Sequence, residues 1–313
     1  MYFKQFKEEL QNRLSAEVER KLDGTIEFSE VMKNGGIQNG IIYRPAGSPI
    51  GITTYVETCY KAYQEGASME KIVEDFVPAM INHSPDAEIN LDELMKTLVP
   101  ENIVPALLPR KGNEELFETI PHVPFQNLEI IFKFSISGFF GGGMANVSNQ
   151  FSEQFGFGAE EMLDIAMNNI KGQTVVAPLS EMLFSAEQPE MDWDSLKNSG
   201  DKMLVVSNQS GFYGASVILD KDTMMKITDL FEEDVYILPS SIHECIVVPL
   251  SMGPAEDLQK MVKEINQDAV EPKDRLSDDV YVFDSHTREI TLASGTLDKT
   301  RQQMKTVSSP PVR

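Results

Sequence analysis

The sequence predicts an α/β (α+β) protein with mixed sheets, flanking amphipathic helices and two packed portions. The chain has 313 residues, which exceeds the roughly 250 residues at which one hydrophobic core tends to split. Its hydrophobic content of 41% is ordinary for a globular protein. Short β-type runs alternate along the chain with apolar stripes at helical spacing, so both kinds of element are expected.

The same patterns divide the chain into five segments. We expect an N-terminal α/β portion over 1–100, a middle strand–helix portion over 101–184, an acidic linker or loop over 185–201, a C-terminal portion over 202–293, and a disordered tail over 294–313. The linker is acidic and aperiodic, and the tail has few apolar residues.

The first hundred residues begin with a helix and a hairpin. Apolar residues recur at helical spacing and predict a helix that ends near Gly24: Phe3, Phe6, Leu10, Leu14 and Val18. Two β-type runs then flank Asn34, Gly35 and Gly36. These three residues reach positive φ at low cost, so a tight hairpin is predicted there.

Capping residues predict where the next helices begin. Thr54 and Glu57 form a capping-box pattern, and Ser68 precedes a second apolar stripe. Asn90 with Glu93 repeats the pattern before a third stripe, which Pro100 closes.

The middle portion combines strands, a glycine-rich turn and a helix. The runs LEIIFKFSIS and TVVAP predict buried strands. The segment Gly138–Gly143 matches neither a phosphate loop nor a dinucleotide fingerprint, so it predicts a turn between strands. A helix with Leu163, Ala166, Met167 and Ile170 inward follows it.

The C-terminal portion is organised around the stretch from Met203 to Leu250. Its periodicity predicts the order β-β-α-β-β, with strands over 203–207, 215–219, 235–238 and 245–250. A helix beginning near Pro254 follows, with Leu258, Met261, Val262 and Ile265 inward. The run DDVYVFDSHTREITLAS closes the portion as a hairpin.

The turn Pro239–Glu244 holds the candidate catalytic residues Ser240, Ser241, His243 and Glu244. Activation of either serine by His243 would make a hydrolase or transferase. A zinc-protease helix would need a second histidine four residues after His243, where Val247 stands, and no nucleophile elbow surrounds the serines. The alternative is a structural turn whose hydroxyls and carboxylate bind backbone amides, and the residue pattern favours it.

Composition limits the possible partners. The net charge of −22 disfavours direct binding of nucleic acid and of membranes. It is compatible with a basic protein partner, with mimicry of nucleic acid, or with solubility alone. Cys59 and Cys245 fall on apolar stripes, and no residue spacing indicates a metal or a cofactor. The charged amino terminus and the absence of a long apolar run predict a cytoplasmic protein.

Several segments together resemble one bacterial family. The runs VMKNGGIQNGIIY, ITTYVETCYKAYQEG, YGASVILD, VYILPSSIHECIVVP and LSDDVYVFD are similar to the bacterial domain of unknown function 5688 family, with ILPSSIHE the most specific. The resemblance extends to about Leu292. It implies a cytoplasmic protein of anaerobic Gram-positive bacteria, sometimes carried on mobile elements, and it assigns no catalytic residues.

Three functional hypotheses follow from these observations. The first is a non-enzymatic binding or regulatory protein of a mobile element or its host, which presents an acidic surface to a basic protein partner. The second is the hydrolase or transferase that uses the Ser240, Ser241, His243 and Glu244 turn. The third is an acidic mimic of nucleic acid, which requires carboxylates at phosphate-like spacing on one face.

Overall fold

The predicted α/β class is confirmed, and the chain divides into two compact units. The computed structural model describes residues 1–46, 51–83, 96–136, 143–184 and 193–294. The first unit is Met1–Leu98 and the second is Val99–Arg313. Residues 295–313 of the predicted tail and the third capping pattern at Asn90 and Glu93 lie outside the described residues.

The first unit packs helices on a three-stranded antiparallel sheet. Its elements are α1 (Phe3–Lys21), β1 (Gly24–Lys33), β2 (Gly36–Pro45), β3 (Ile52–Tyr55), α2 (Val56–Gln64) and α3 (Met69–His83). The hairpin between β1 and β2 is confirmed, and its turn places Gly35 at φ 84° and Gly36 at φ 128°. Side chains other than glycine rarely adopt these angles.

The apolar stripe of α1 forms the centre of the first core, as predicted. Phe6, Leu10, Leu14 and Val18 are buried. The Phe6 ring lies 5.1 Å from the ring of Tyr60 and 5.2 Å from that of Tyr63 on α2. Tyr60 and Tyr63 are four and seven residues into the α2 stripe, so helical spacing brings both rings to one face.

The predicted capping box at Thr54 and Glu57 is wrong, although the cap at Ser68 is confirmed. Thr54 lies in β3, and α2 begins only at Val56. The Glu57 carboxylate instead accepts hydrogen bonds from the backbone N–H of Asn39 at 3.1 Å and from its side-chain amide at 2.7 Å. Pairing of β3 with β2 keeps Thr54 extended and brings Asn39 within reach of Glu57. Ser68 Oγ accepts the N–H of Lys71 at 3.1 Å.

The second unit contains two antiparallel sheets. The four-stranded sheet is built on β6, which pairs with the other three strands: β4 (Ile103–Pro109), β5 (His122–Phe125), β6 (Leu128–Ile136) and β7 (Gly143–Asn146). The six-stranded sheet has the order β13-β12-β10-β11-β9-β8. Its strands are β8 (Thr174–Pro178), β9 (Leu204–Asn208), β10 (Val235–Leu238), β11 (Cys245–Pro249), β12 (Tyr281–Asp284) and β13 (Glu289–Leu292).

Strand direction differs from the mixed sheets that were predicted. Every pairing between the described strands is antiparallel. Tight turns such as the one between β12 and β13 can join only antiparallel neighbours. Because β8 pairs with β9, one sheet also spans the predicted middle and C-terminal portions.

The helices of the second unit are mostly short. They are α4 (Glu114–Phe117), α5 (Asn149–Phe155), α6 (Ala159–Asn169), α7 (Leu179–Phe184), α8 (Trp193–Ser199), α9 (Lys221–Phe231) and α10 (Ala255–Asp268). Helix α10 packs Leu258 and Val262 against Val248 and Val282 of the six-stranded sheet, which confirms its predicted inner face.

Two predicted segments have a different secondary structure. The predicted strand over 215–219 belongs to a 3₁₀ helix, Gly214–Leu219. A short apolar run fits a buried helix as well as a strand, and periodicity cannot separate the two. Part of the predicted acidic loop 185–201 is α8. Leu196 is the one buried residue of α8, so the sequence of this segment has no apolar stripe at helical spacing.

Among the described residues, no helix is both long enough and apolar enough to cross a membrane.

Candidate functional site

The turn Pro239–Glu244 follows β10 and lies beside residues 274–277. Three backbone hydrogen bonds join the two segments: Ile242 N to Asp274 O at 2.8 Å, Leu276 N to Ser240 O at 3.1 Å, and Ser277 N to Pro239 O at 3.0 Å. Ser241 forms an antiparallel bridge with Arg275. The turn is therefore fixed at its backbone on one side by a segment more than 30 residues along the chain.

The serine hydroxyls near His243 bind its backbone. Ser241 is 5% exposed, and its Oγ accepts the backbone N–H of His243 at 3.0 Å. Ser207 on β9 donates its hydroxyl to the carbonyl of His243 at 2.8 Å. Ser240 is half-buried, and its carbonyl accepts the N–H of Leu276. Ser207 and Ser241 therefore hold the main chain of His243 in place, whereas Ser240 binds the neighbouring segment through its carbonyl.

Both nitrogens of the His243 ring have partners. Nδ1 accepts the backbone N–H of Tyr213 at 3.3 Å, so Nδ1 carries no proton in this arrangement. The proton is then on Nε2, which lies 3.3 Å from Oδ1 of Asp274 and donates to it. An imidazole with its tautomer fixed in this way resembles the oriented histidines of binding and catalytic sites. Here, however, the free lone pair of the ring is on Nδ1, and it already accepts a hydrogen bond from the backbone N–H of Tyr213.

Tyr213 adopts a backbone conformation that is unfavourable for its side chain. Its φ of 53° and ψ of 28° are left-handed, which costs an L-residue roughly 1–2 kcal/mol. A Cβ on the next residue, Gly214, would lie 2.5 Å from the carbonyl oxygen of His243 and 2.7 Å from the amide nitrogen of Asn208, and closer still to Ser207 Oγ. Only glycine fits at 214, and the chain must turn at 213.

A buried lysine fixes the Tyr213 side chain from the other sheet of the unit. The Nζ of Lys133 on β6 lies 4.0 Å from the centre of the Tyr213 ring, and it donates to Asn146 Oδ1 at 2.6 Å. Lys133 is 6% exposed. A desolvated ammonium over an aromatic face is a favourable cation–π contact. We call Phe212, Tyr213 and Gly214 the Tyr213 bend.

Sequence reasoning found part of this site. It selected His243 and Ser241, which the structure places together with Glu244 half-buried beside them. It missed Tyr213, Lys133 and Asp274, because their contacts join residues 30 to 80 positions apart. The adjacent Tyr213 and Gly214 are a weak local signal of a bend, but nothing in the spacing of Asp274 or Lys133 points to His243.

A second polar cluster connects the two sheets of the second unit. Asp279 accepts from the amides of Asn127 at 2.9 Å and Gln259 at 2.7 Å. The hydroxyl of Tyr281 donates to the Asn127 side chain, and burial raises the pKa of Tyr281. A small open pocket of about 50 Å³ lies beside this cluster, with Glu256 and Asp279 among its lining residues.

The remaining predicted features give no further site in the described residues. No group of three or more His, Cys, Asp or Glu side chains there could hold a metal ion. His122 lies half-buried at the start of β5, and its ring packs against that of Phe117. In the glycine-rich turn, residues 138–142 lie outside the described residues, and Gly143 begins β7.

The negative charge is carried by both units. The first unit holds 16 acidic and 10 basic residues, a net charge of −6, so −16 of the total of −22 belongs to the second. In the second unit, exposed carboxylates follow the outer face of α10: Glu256, Asp257, Glu264 and Asp268.

The fold and the site define a mixed α/β protein with a strained aromatic bend fixed by a histidine, a buried lysine and a carboxylate. Residues 3–285 match the family of unknown function DUF5688, and the chain belongs to this family. The resemblance found in the sequence is thereby confirmed. No curated protein and no solved structure matches the chain.

Proposed function

We propose that this protein is a non-enzymatic binding protein, with a regulatory role, whose acidic second unit engages a basic protein partner. The observation that carries the proposal is the state of His243: both ring nitrogens and the hydroxyl of Ser241 already serve the fold. A hydrolase would need a nucleophile within hydrogen-bond reach of a free imidazole lone pair. The hydrogen bonds around His243 fix one conformation of the surface, and a fixed surface is suited to binding a partner.

Charge supports a basic partner. A net charge of −16 in the second unit attracts cationic surfaces at the distances that the Debye length allows, and it repels phosphate backbones. The outer face of α10, where four exposed carboxylates outnumber the exposed Lys260 and Lys263, is one surface where such a partner would bind. The context of a mobile element or its bacterial host, which the family resemblance implies, remains part of the proposal.

The proposal is tested by affinity capture with the full chain as bait in a lysate of its own bacterium. We expect basic proteins to be retained at about 50 mM salt and released at about 500 mM, because salt screens exposed charges. A matched bait with Glu256, Asp257, Glu264 and Asp268 changed to their amides should retain less. Recovery of no partner, or of partners that withstand high salt and ignore the amide bait, would count against an electrostatic binding function.

The hydrolase alternative has its own test. The purified protein is assayed on ester and phosphoester probes, and we expect no hydrolysis above background. Changing Ser241 or His243 to Ala should alter stability without changing that rate. If the wild-type protein hydrolyses a probe and both substitutions abolish that activity in variants that still fold, the result would contradict the binding proposal and support the hydrolase.

A further inference from the structure

The first residue of the Tyr213 bend, Phe212, carries an exposed aromatic ring. Phe212 is 46% exposed, and Phe155 at 41% is the other large exposed apolar side chain recorded in the described part of the second unit. The Phe212 ring meets the His243 ring edge-on, with centroids 6.3 Å apart and an interplanar angle of 73°. A single exposed apolar side chain is common on protein surfaces, so the case for a site depends on the backbone and the polar groups around this ring.

The loop that carries Phe212 is held in one shape by its own hydrogen bonds. Asn208 donates its amide to the Phe212 carbonyl at 2.9 Å, and Ser210 Oγ accepts the Phe212 N–H at 3.2 Å. Ser210 also donates to Asn208 Oδ1 at 2.9 Å. A ring displayed on a fixed loop loses little conformational entropy when it binds, which is how preorganised contact residues gain affinity.

The strained backbone of Tyr213 is adjacent to Phe212. The left-handed Tyr213 follows Phe212 directly and is kept there by Gly214, by Lys133 and by the N–H bond to His243. A strained backbone that several contacts hold in place is commonly found where a site must present a side chain in one direction.

The groups beside Phe212 suit a cation. His243 presents its Nε2 side to Asp274, whose side chain is 27% exposed, and Glu244 is half-buried next to it. Lys273 Nζ lies 3.5 Å from the second oxygen of Asp274 and 3.3 Å from the Glu271 carboxylate, so one ammonium is shared between two carboxylates and a negative charge remains. An aromatic face, an imidazole and a carboxylate are therefore grouped on an acidic unit.

We propose that Phe212, His243 and Asp274 form a recognition site for an arginine side chain of the basic partner. The inference rests on the proposed function and specifies its contact. A guanidinium can stack on the Phe212 ring while its N–H groups bind the Asp274 carboxylate, whereas a lysine ammonium is more strongly hydrated and stacks less well. Nucleobases could also stack on Phe212, but the charge of the unit repels their phosphates.

The test compares two fluorescent peptides of equal charge, one alternating glycine with arginine and the other glycine with lysine. Fluorescence anisotropy is measured with the full chain at about 50 mM salt, where exposed charges still interact. We expect the arginine peptide to bind about threefold more tightly, the effect of one exposed cation–π contact. Phe212→Leu keeps an apolar side chain and should abolish this preference, while Phe212→Tyr should retain it.

Phe155→Leu is the matched control, since Phe155 is similarly exposed but stacks on Phe151 at 4.2 Å. Hydrogen exchange of the wild-type chain with the bound arginine peptide gives a readout independent of the variants. Slower exchange in residues 208–213 and 243–244 is the expected result, and protection confined to other segments would overturn the site.

The remaining outcomes separate the two proposals. Equal affinity for both peptides, or an arginine preference that survives Phe212→Leu, would overturn the arginine site while leaving an acidic binding protein. A preference lost equally in Phe155→Leu would also overturn it. If neither peptide binds at low salt, both the site and the proposed function fail.

Discussion

The two units bury polar groups to different extents. The first core consists of apolar and aromatic side chains centred on Phe6, Leu10 and Leu14. The interior of the second unit also holds buried polar and charged residues: Glu129, Lys133, Ser207, Ser216, Ser241, Asn266 and Ser277. Buried polar groups are costly unless their partners are in place, and they then fix one arrangement. The difference identifies the second unit, and within it the Tyr213 bend, as the specialised part of the chain.

The largest expected effect is a glycine substitution in the second unit. Gly214→Ala should destabilise that unit by more than about 4 kcal/mol, because the added methyl meets backbone atoms that cannot move independently. Gly36→Ala in the first unit is the matched control. Its Cβ would have no neighbour within 4 Å, and only the φ of 128° is unfavourable, so a loss of about 1 kcal/mol is expected.

Each unit has its own probe for this comparison. The single tryptophan, Trp193, reports denaturant unfolding of the second unit, and Cys59 lies in the first. Equal losses for the two glycine substitutions would mean that the bend tolerates a side chain at 214, which contradicts the packing described for it.

A cavity in the first core should have the next largest effect. Leu10 is fully buried, and Leu10→Ala removes its contacts with the surrounding apolar side chains, at a cost of about 3 kcal/mol. The loss should be seen by labelling of Cys59 in denaturant. Lys4→Ala on the exposed side of the same helix should change stability by less than about 0.5 kcal/mol; a similar loss at both positions would argue against the packing of α1.

A third substitution tests the polar cluster between the sheets of the second unit. Tyr281→Phe removes the hydroxyl that binds Asn127 and Ser277, with an expected loss of about 1–2 kcal/mol. Because burial raises the pKa of Tyr281 in the folded state, the hydroxyl disfavours folding once the unfolded chain ionises, above pH about 10. The difference between wild type and variant should therefore shrink as the pH rises beyond that value. A difference that grows there would contradict the buried hydroxyl.

The smallest effect is expected from thiol chemistry of the folded chain. Burial, with Glu57 nearby, raises the pKa of Cys59 to about 11, and burial also raises that of Cys245. At pH 8 only about one Cys59 in a thousand is then a thiolate, so a thiol reagent should label both cysteines slowly until the chain unfolds. Fast labelling of Cys245 alone would show that the second unit opens more readily than the first.

The sequence was most informative where a signal is local. The stripe of α1, the hairpin at Gly35 and Gly36, and the inner face of α10 all depend on residues within one or two turns of each other. The segment 214–219 was predicted as a strand because its four apolar side chains are too few to show a period. What fixes it is the tight approach of Ser207 and His243 to Gly214, a tertiary contact.

The site was predicted only through residues close to each other in sequence. His243 and Ser241 stood out as polar groups between apolar strands, but their roles depend on which atoms meet. Tyr213 N–H reaches Nδ1, and Asp274 reaches Nε2. The same four candidate residues could occur with the same spacing in a hydrolase, so their spacing alone does not distinguish catalysis from recognition.

The tautomer of His243 tests the central claim most directly. Long-range proton–nitrogen NMR of the full chain with ¹⁵N-labelled histidine distinguishes the two ring nitrogens at neutral pH. If the cluster serves recognition, Nδ1 is the unprotonated acceptor of Tyr213 and Nε2 carries the proton toward Asp274. A proton on Nδ1, with a free lone pair on Nε2, would contradict the account and restore His243 as a general base.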